Sequence, residues 1–153
     1  MPVTWSLDAA AGFVRVRYSD PYTFDDWADV VTELRRTPDV VFQRQFAGLI
    51  DRGEVGPACP EFIDAVTRVI GAYPNALRGR LLAFVLRDEA SAAATWAQIR
   101  MCEDVGAIAA VFGSVEDAET WLGEQLRASK ASEAEASERA PEAIVRLSIA
   151  DRP

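Results

Sequence analysis

The chain has 153 residues, half of them hydrophobic, and a formal net charge of −8 at pH 7. This length and apolar content predict one globular domain with a single sizeable core rather than a disordered chain. The acidic balance has the wrong sign for neutralising phosphates, so we expect neither nucleic-acid binding nor attachment to an anionic membrane surface.

Two residue types that many enzymes need are missing or nearly missing. The sequence has no histidine, and its only lysine is Lys130. Nucleophile activation by a Ser-His-Asp or Cys-His set and zinc binding through histidine are therefore excluded. Walker-type phosphate binding and Schiff-base chemistry lose their lysine within the predicted domain. We predict that the protein is not an enzyme and uses no cofactor.

The expected compartment follows from similar observations. Cys59 and Cys102 are far apart and in no metal-binding or redox spacing. The N-terminal residues lack the basic and long apolar regions of a signal peptide. No apolar run approaches the roughly 20 residues that a membrane span needs. The expectation is a cytoplasmic, reduced protein without stable membrane insertion.

Two short alternating segments open the chain. Val3, Trp5 and Leu7 alternate with polar residues, and Phe13–Tyr18 alternates in the same way after the loop 8–12. An alternation of period two predicts half-buried β-strands. Strands joined by so short a loop pair antiparallel, with the first strand at or near a sheet edge.

Helices and strands are predicted in alternation after this hairpin. Thr23 and Asp26 have the spacing of a capping box at the start of a helix, and an apolar strand follows at Phe46–Asp51. Cys59 is the expected N-cap of the next helix, because Pro60 suits the first helical position.

Two further strand–helix units follow the expected end of that helix at Gly71. Residues 79–87 form the most apolar strand, and Asp88 is the expected cap of the helix after it. The expected core-facing residues of this helix are Ala92, Trp96, Ile99 and Cys102. The unbroken apolar run Ala107–Phe112 then predicts a strand buried on both faces.

The last predicted helix begins at Ser114, with Asp117 in capping-box spacing, and runs to about Leu126. Its apolar face is formed by Val115, Ala118, Trp121 and Leu122. After it, residues 128–141 are rich in Ala, Ser and Glu and lack an apolar face, which predicts a polar linker or a frayed extension of the helix.

Together these elements predict an α/β fold. The sheet is expected to be mixed, mainly parallel and five-stranded, with an N-terminal antiparallel hairpin and about four covering helices. Residues 1–127 form the predicted domain. Residues 142–153 regain apolar side chains and are expected to pack on the body of the domain or on a partner.

Several short motifs carry a family resemblance. They are Gly12-Phe13-Val14, Thr23-Phe24 with Trp27, Leu49-Ile50-Asp51, Gly79-Arg80-Leu81-Leu82-Ala83-Phe84-Val85, Val111-Phe112-Gly113-Ser114, Glu116, Ala118, Trp121 and Leu122. Spread over residues 3–126, they resemble the STAS domain, the fold of bacterial anti-sigma-factor antagonists, and more closely the SpoIIAA-like family of small bacterial proteins. The resemblance implies a non-catalytic regulatory module that binds a protein partner or a small ligand.

One functional element of the anti-sigma-factor antagonists is missing. In those proteins a phosphorylatable serine begins the helix after the third strand, whereas residues 51–60 contain no serine or threonine. Phosphorylation at that site is therefore not expected. Because the chain is acidic, we expect a protein partner of basic character, and a homodimer is a further alternative.

The candidate binding residues come mainly from loops at the carboxyl ends of the parallel strands, where open α/β sheets bind ligands. They are Asp20, Tyr22, Trp27, Asp51, Arg52, Glu54, Cys59 and Arg87. The loop from Asp51 to Pro60 is the expected partner contact. No residue is predicted to be catalytic or to bind a metal.

Two alternatives compete with the interaction module. A small apolar or lipid-like ligand could bind between the first helix and the sheet, in a cavity lined by Trp27 and the helix after Pro60. The strand-end carboxylates could instead hold a divalent cation in a metal-dependent enzyme. Against both, tryptophans at helical spacing are usually core, and acidic residues at strand ends usually cap helices. Cys59 is interpreted as a passive, half-buried thiol.

Overall fold

The computed structural model describes residues 1–37, 47–53, 55–56, 58–88 and 92–150, of which the side chains of residues 93, 94 and 140–150 are not described. The strands are β1 (Val3–Asp8), β2 (Phe13–Tyr18), β3 (Ala47–Asp51), β4 (Leu81–Val85) and β5 (Ile108–Phe112). The helices are α1 (Phe24–Arg36), α2 (Pro60–Ala72), α3 (Ala92–Asp104) and α4 (Val115–Ala150), with a 3-10 turn at Pro74–Ala76.

The five strands form one mixed sheet in the order β1-β2-β3-β4-β5. β1 and β2 pair antiparallel, and every other neighbouring pair is parallel. The predicted α/β fold is therefore confirmed, including the N-terminal hairpin and the position of β1 at a sheet edge. No helix in the described part of the chain is long and apolar enough to cross a membrane.

Strand alternation divides the core between the two faces of the sheet. On one face, Ala47 and Leu49 of β3 and Ala83 of β4 pack with Ala118 and Leu122 of α4. The other face is covered by α1, α2 and α3 and holds two further clusters, whose members include Val3, Tyr18, Val30, Phe62, Val66, Leu82, Phe84 and Ile99. Of the helices that the structure describes, one thus covers the first face and three cover the second.

Both predicted capping boxes begin helices in the structure. The Asp26 amide donates to Thr23 Oγ1 at 3.3 Å, and the Thr23 amide donates back to the Asp26 carboxylate at 2.7 Å. At α4 the Asp117 amide donates to Ser114 Oγ at 3.2 Å. These side chains satisfy amides that have no partner inside the helix, so local sequence defines both helix starts.

Two burial expectations are wrong. β5 pairs only with β4 among the described residues, so it is an edge strand, and Ile108 is 52% exposed. Trp96 is also 52% exposed, because the buried stripe of α3 runs through Thr95, Ile99 and Cys102 at helical spacing. Trp96 lies one position beside that stripe.

Two helix ends also differ from expectation. α2 continues through Gly71 to Ala72, and α4 continues to Ala150 instead of ending near Leu126. Residues 124–140 contain no glycine or proline and are rich in Ala and Glu, both strong helix formers. The side chains of residues 130–139 are exposed on this extension.

A few expectations fall outside the described residues. These are a start of β3 at Phe46, the position of Glu54, a start of α3 directly after Asp88, and the packing of residues 142–153. Residues 79–87 are all described, and β4 is shorter than this expected strand because it spans only Leu81–Val85.

Two glycine substitutions should change stability in opposite directions. Gly123 lies inside α4 with open space at the position that a Cβ would take, so Gly123→Ala should raise the free energy of unfolding by about 0.5–1 kcal/mol. Gly106 has φ +91° and a Cβ there would lie 3.4 Å from Arg78 Cγ, so Gly106→Ala should lower it. Urea unfolding of both variants checks the signs, and a destabilised Gly123→Ala protein would contradict this account of α4.

Candidate functional site

A cavity of about 310 Å³ lies between the sheet and the three helices α1, α2 and α3. Strand alternation supplies its floor, because every second residue of β2, β3 and β4 points to this face. The floor residues are Val14, Val16, Tyr18, Gly48, Ile50, Leu82 and Phe84. Apart from the Tyr18 hydroxyl, the floor contains no polar side-chain atom.

Gly48 keeps part of this floor open. A Cβ at this position would lie 3.1 Å from Leu82 Cδ2 and 3.7 Å from Ile50 Cδ1. No positive φ requires glycine here, so the residue matters for the space that it leaves. Any larger side chain at position 48 would occupy cavity volume or displace Leu82.

The helices supply walls that are also mainly apolar. α1 contributes Trp27, Val30, Val31, Leu34 and Arg35; α2 contributes Val69 and Ile70; Tyr73, Ala76 and Leu77 follow, and α3 contributes Gln98 and Cys102. Tyr73 and Arg35 are exposed, and the Arg35 guanidinium lies 5.1 Å from the Tyr73 ring centroid. Because Arg35 is in the last turn of α1 and Tyr73 follows α2, these residues mark an opening at the amino-terminal ends of the strands.

Arg52 does not itself line the cavity but lies directly behind its wall, on the side of the carboxyl ends of the strands. It follows Gly48 and Ile50 in the alternation of β3, and its amide donates to the Val85 carbonyl at 3.0 Å, which extends the pairing of β3 with β4. Its side chain contacts two cavity residues: Nη1 donates to Gln98 Oε1 at 3.4 Å, and the guanidinium carbon lies 5.4 Å from the Tyr18 ring centroid. The residue is only 2% exposed.

The guanidinium is held mainly by neutral groups. Nη2 donates to the Tyr22 hydroxyl at 2.5 Å, and the Tyr22 ring centroid lies 5.6 Å from the guanidinium carbon. Nε is buried and has no hydrogen-bond partner within the described part of the chain. Burial raises the pKa of Tyr22, and the charge of Arg52 offsets only part of that rise. Burial also raises the pKa of Tyr18.

The structure brings together some of the predicted binding residues on this face. The Tyr22 hydroxyl accepts a hydrogen bond from Arg52, and the Tyr22 ring packs edge-on against Phe62. Trp27 also packs against Phe62. Asp20 and Cys59 lie with Tyr22 around a separate hollow of about 380 Å³. The Asp20 carboxylate accepts from the Gly56 amide at 2.9 Å. Cys59 is the N-cap of α2 but makes no side-chain capping bond, and it is exposed rather than half-buried.

Asp51 and Arg87 are separated from this group. Both line a third hollow, together with β1 and β2 residues such as Thr4 and Arg17. The Asp51 carboxylate accepts from the Gly53 amide at 3.0 Å and lies 4.0 Å from Arg17 Nε. Within the described residues, no group of three His, Cys, Asp or Glu side chains is arranged to hold a metal ion. Glu54 is outside the described residues.

Several cavity residues were not predicted from the sequence. Gly48 is one of them, although a glycine inside an otherwise apolar strand is a recognised sign of close approach or missing volume. No sequence pattern marks Gln98, because its role depends on a contact to Arg52, which is distant in sequence. The opening at the amino-terminal ends of the strands also differs from the expected carboxyl-end site.

Comparison of the chain with protein-family models, with curated proteins and with solved structures found no match. The resemblance to the STAS domain and to the SpoIIAA-like family therefore stays a prediction. The cavity and its surroundings are the basis on which function is argued below.

The two cysteines should differ in reactivity. Cys102 lines the cavity, and burial raises the pKa of its thiol to about 11, whereas Cys59 is exposed. Because the thiolate is the reactive form, one equivalent of a disulfide reagent such as DTNB should react quickly at pH 8, and the second only after unfolding. Cys59→Ser should remove the fast phase, and a fast phase that survives in this variant would contradict the burial of Cys102.

Proposed function

We propose that the protein binds a small apolar ligand in the cavity beneath α1, α2 and α3, and that it does so without catalysing a reaction. The observation that carries this proposal is an apolar cavity of about 310 Å³ between packed secondary structure elements. Protein interiors normally contain few voids larger than a water molecule, because each lost contact reduces stability. A ligand that contacts the same walls would fill the apolar volume that the described side chains leave open.

The volume restricts the size of the ligand. An engineered apolar cavity of roughly 150 Å³ is known to hold one benzene molecule. A cavity of about 310 Å³ is about twice as large and, at the packing density of protein interiors, suits a molecule of about two to three aromatic rings or an alkyl chain of moderate length. The mainly apolar walls favour an apolar body with few polar groups over a sugar or a nucleotide, whose hydroxyl groups would lack partners.

The regulatory protein-interaction hypothesis is a second proposal. It places the partner contact at the loop from Asp51 to Pro60, where Cys59 is exposed beside the hollow that it shares with Asp20. Arg52 belongs to the same loop but is buried, so its side chain would act inside the domain and not at the partner surface. A variant that fills the cavity separates the two proposals. It would still bind a protein partner in a pull-down, but it would no longer bind the apolar ligand.

The neutral fluorescent probe N-phenyl-1-naphthylamine should bind the wild-type protein saturably with a stoichiometry of one. Gly48→Val places a branched side chain on the cavity floor and should weaken probe binding by at least about tenfold, equivalent to about 1.4 kcal/mol. Val31→Trp fills the same volume from α1 and should act in the same direction. Fluorescence titration measures the affinities, and circular dichroism with thermal melting verifies that each variant is folded.

Gly113→Val is the matched control. It makes the same chemical change in the turn after β5, where a Cβ meets nothing within 4 Å, and should leave the probe affinity unchanged. Equal affinity of wild type, Gly48→Val and Val31→Trp would contradict the proposal, since the probe would then sit elsewhere. Failure of the wild-type protein to bind this probe and 1-decanol would contradict it as well.

A further inference from the structure

We propose that Arg52 pairs with the carboxylate of an apolar carboxylic acid bound in the cavity. This inference rests on the proposed function and adds the chemical class of the ligand. Its basis is the juxtaposition of an apolar cavity with a buried guanidinium behind its wall, whose Nε has no hydrogen-bond partner among the described residues.

The position of the guanidinium follows from the strand. Arg52 comes directly after β3 and belongs to the same alternating series as Gly48 and Ile50, both of which line the cavity. Its contacts to Gln98 and Tyr18, which also line the cavity, place the charge beside the cavity wall. A ligand whose apolar body lies over Gly48 would therefore end near Arg52.

The charge of Arg52 has no carboxylate partner among the described residues. The neighbouring acids are engaged elsewhere: Asp51 turns to the Gly53 amide and lies on the side of Arg17, and Asp20 accepts from the Gly56 amide. The ion pairs recorded for the described chain involve Arg15 and Arg17 but not Arg52. Buried charges in proteins are normally paired, because an uncompensated one is costly.

The two tyrosines beside Arg52 do not supply the missing negative charge. Tyr22 accepts a hydrogen bond through its hydroxyl, and both rings face the guanidinium, which stabilises a cation only modestly. Burial raises the pKa of each phenol, so both are neutral near pH 7. A carboxylate from the ligand would provide the counter-ion and an acceptor for Nε–H, forming a charge-assisted hydrogen bond.

A matched pair of ligands tests this inference on the full chain. Decanoate and 1-decanol have the same alkyl chain and differ in the head group, and both are used below their aggregation concentrations. Their affinities are measured by displacement of N-phenyl-1-naphthylamine. The wild-type protein should bind decanoate at least about tenfold more tightly than 1-decanol, as expected for a charge-assisted hydrogen bond in a buried site.

Four arginine variants locate the head group. Arg52→Met keeps the length of the side chain without its charge, and it should remove the preference for decanoate while changing 1-decanol affinity by less than about threefold. Arg52→Lys retains the charge without the planar donor set and should keep part of the preference. Arg35→Met tests the other end of the cavity, where Arg35 lines the exposed opening, and it should keep the preference for decanoate whatever its effect on the affinity for either ligand. Arg68→Met is the matched control, because Arg68 is exposed on α2 and does not line the cavity, and it should leave both affinities unchanged.

The outcomes separate this inference from the proposed function. If wild type binds 1-decanol but shows no preference for decanoate, the carboxylate inference is overturned and apolar-ligand binding stands. Loss of the preference in Arg35→Met rather than Arg52→Met also overturns it, because the head group would then lie at the opening. If neither ligand nor the probe binds wild type, both proposals fail. Should Arg52→Met not fold, the wild-type comparison and Arg52→Lys still decide the question.

Discussion

The sequential order of the strands is the constraint on which the rest of the structure depends. Each parallel strand pairs with the next one along the chain, and right-handed connections then place α1, α2 and α3 on the same face of the sheet. Among the described helices only α4 covers the opposite face, and small residues such as Ala83 and Ala118 let this helix approach closely. The face with three described helices carries the cavity, and the glycine at position 48 supplies no side chain to its floor. The position of the cavity is thus a result of this topology.

Much of this topology could be predicted from local patterns. The hairpin, both capping boxes and the apolar strands each have a signal within a few residues, and these signals agree with one another. Burial was harder to predict, because it depends on an element's place in the sheet. The apolar run of β5 is typical of a central strand, but as the last strand β5 lies at an edge and exposes Ile108. The burial of Trp96 was predicted wrongly for a related reason. The buried stripe of α3 is rotated by one position, so Thr95 is buried and Trp96 is exposed.

The candidate site could be predicted only in part, and the limit is physical. Trp27 and the helix after Pro60 were expected beside a cavity, and both are part of its walls. Arg52 was expected as a surface residue of a contact loop. Its burial has two causes. The alternation of β3 continues past Asp51 and turns the Arg52 side chain to the face that carries the cavity, and there Tyr22 and Gln98, from distant parts of the chain, hydrogen-bond to it. No single segment contains that information.

Among the described residues, two departures from ordinary protein interiors meet at the same place: an apolar cavity and a buried arginine without a carboxylate partner. Cavities left by removing a large side chain typically cost about 3–5 kcal/mol, and leaving a buried charge without its partner costs a similar amount. Either is a large fraction of the roughly 5–15 kcal/mol that typically stabilises a domain. An uncharged apolar ligand would fill the cavity but would not pair with Arg52. A small anion would pair with Arg52 but would not fill the cavity. The two features lie side by side because Arg52, directly after β3, continues the alternating series of Gly48 and Ile50. An apolar molecule with one carboxylate is the simplest chemical species that satisfies both.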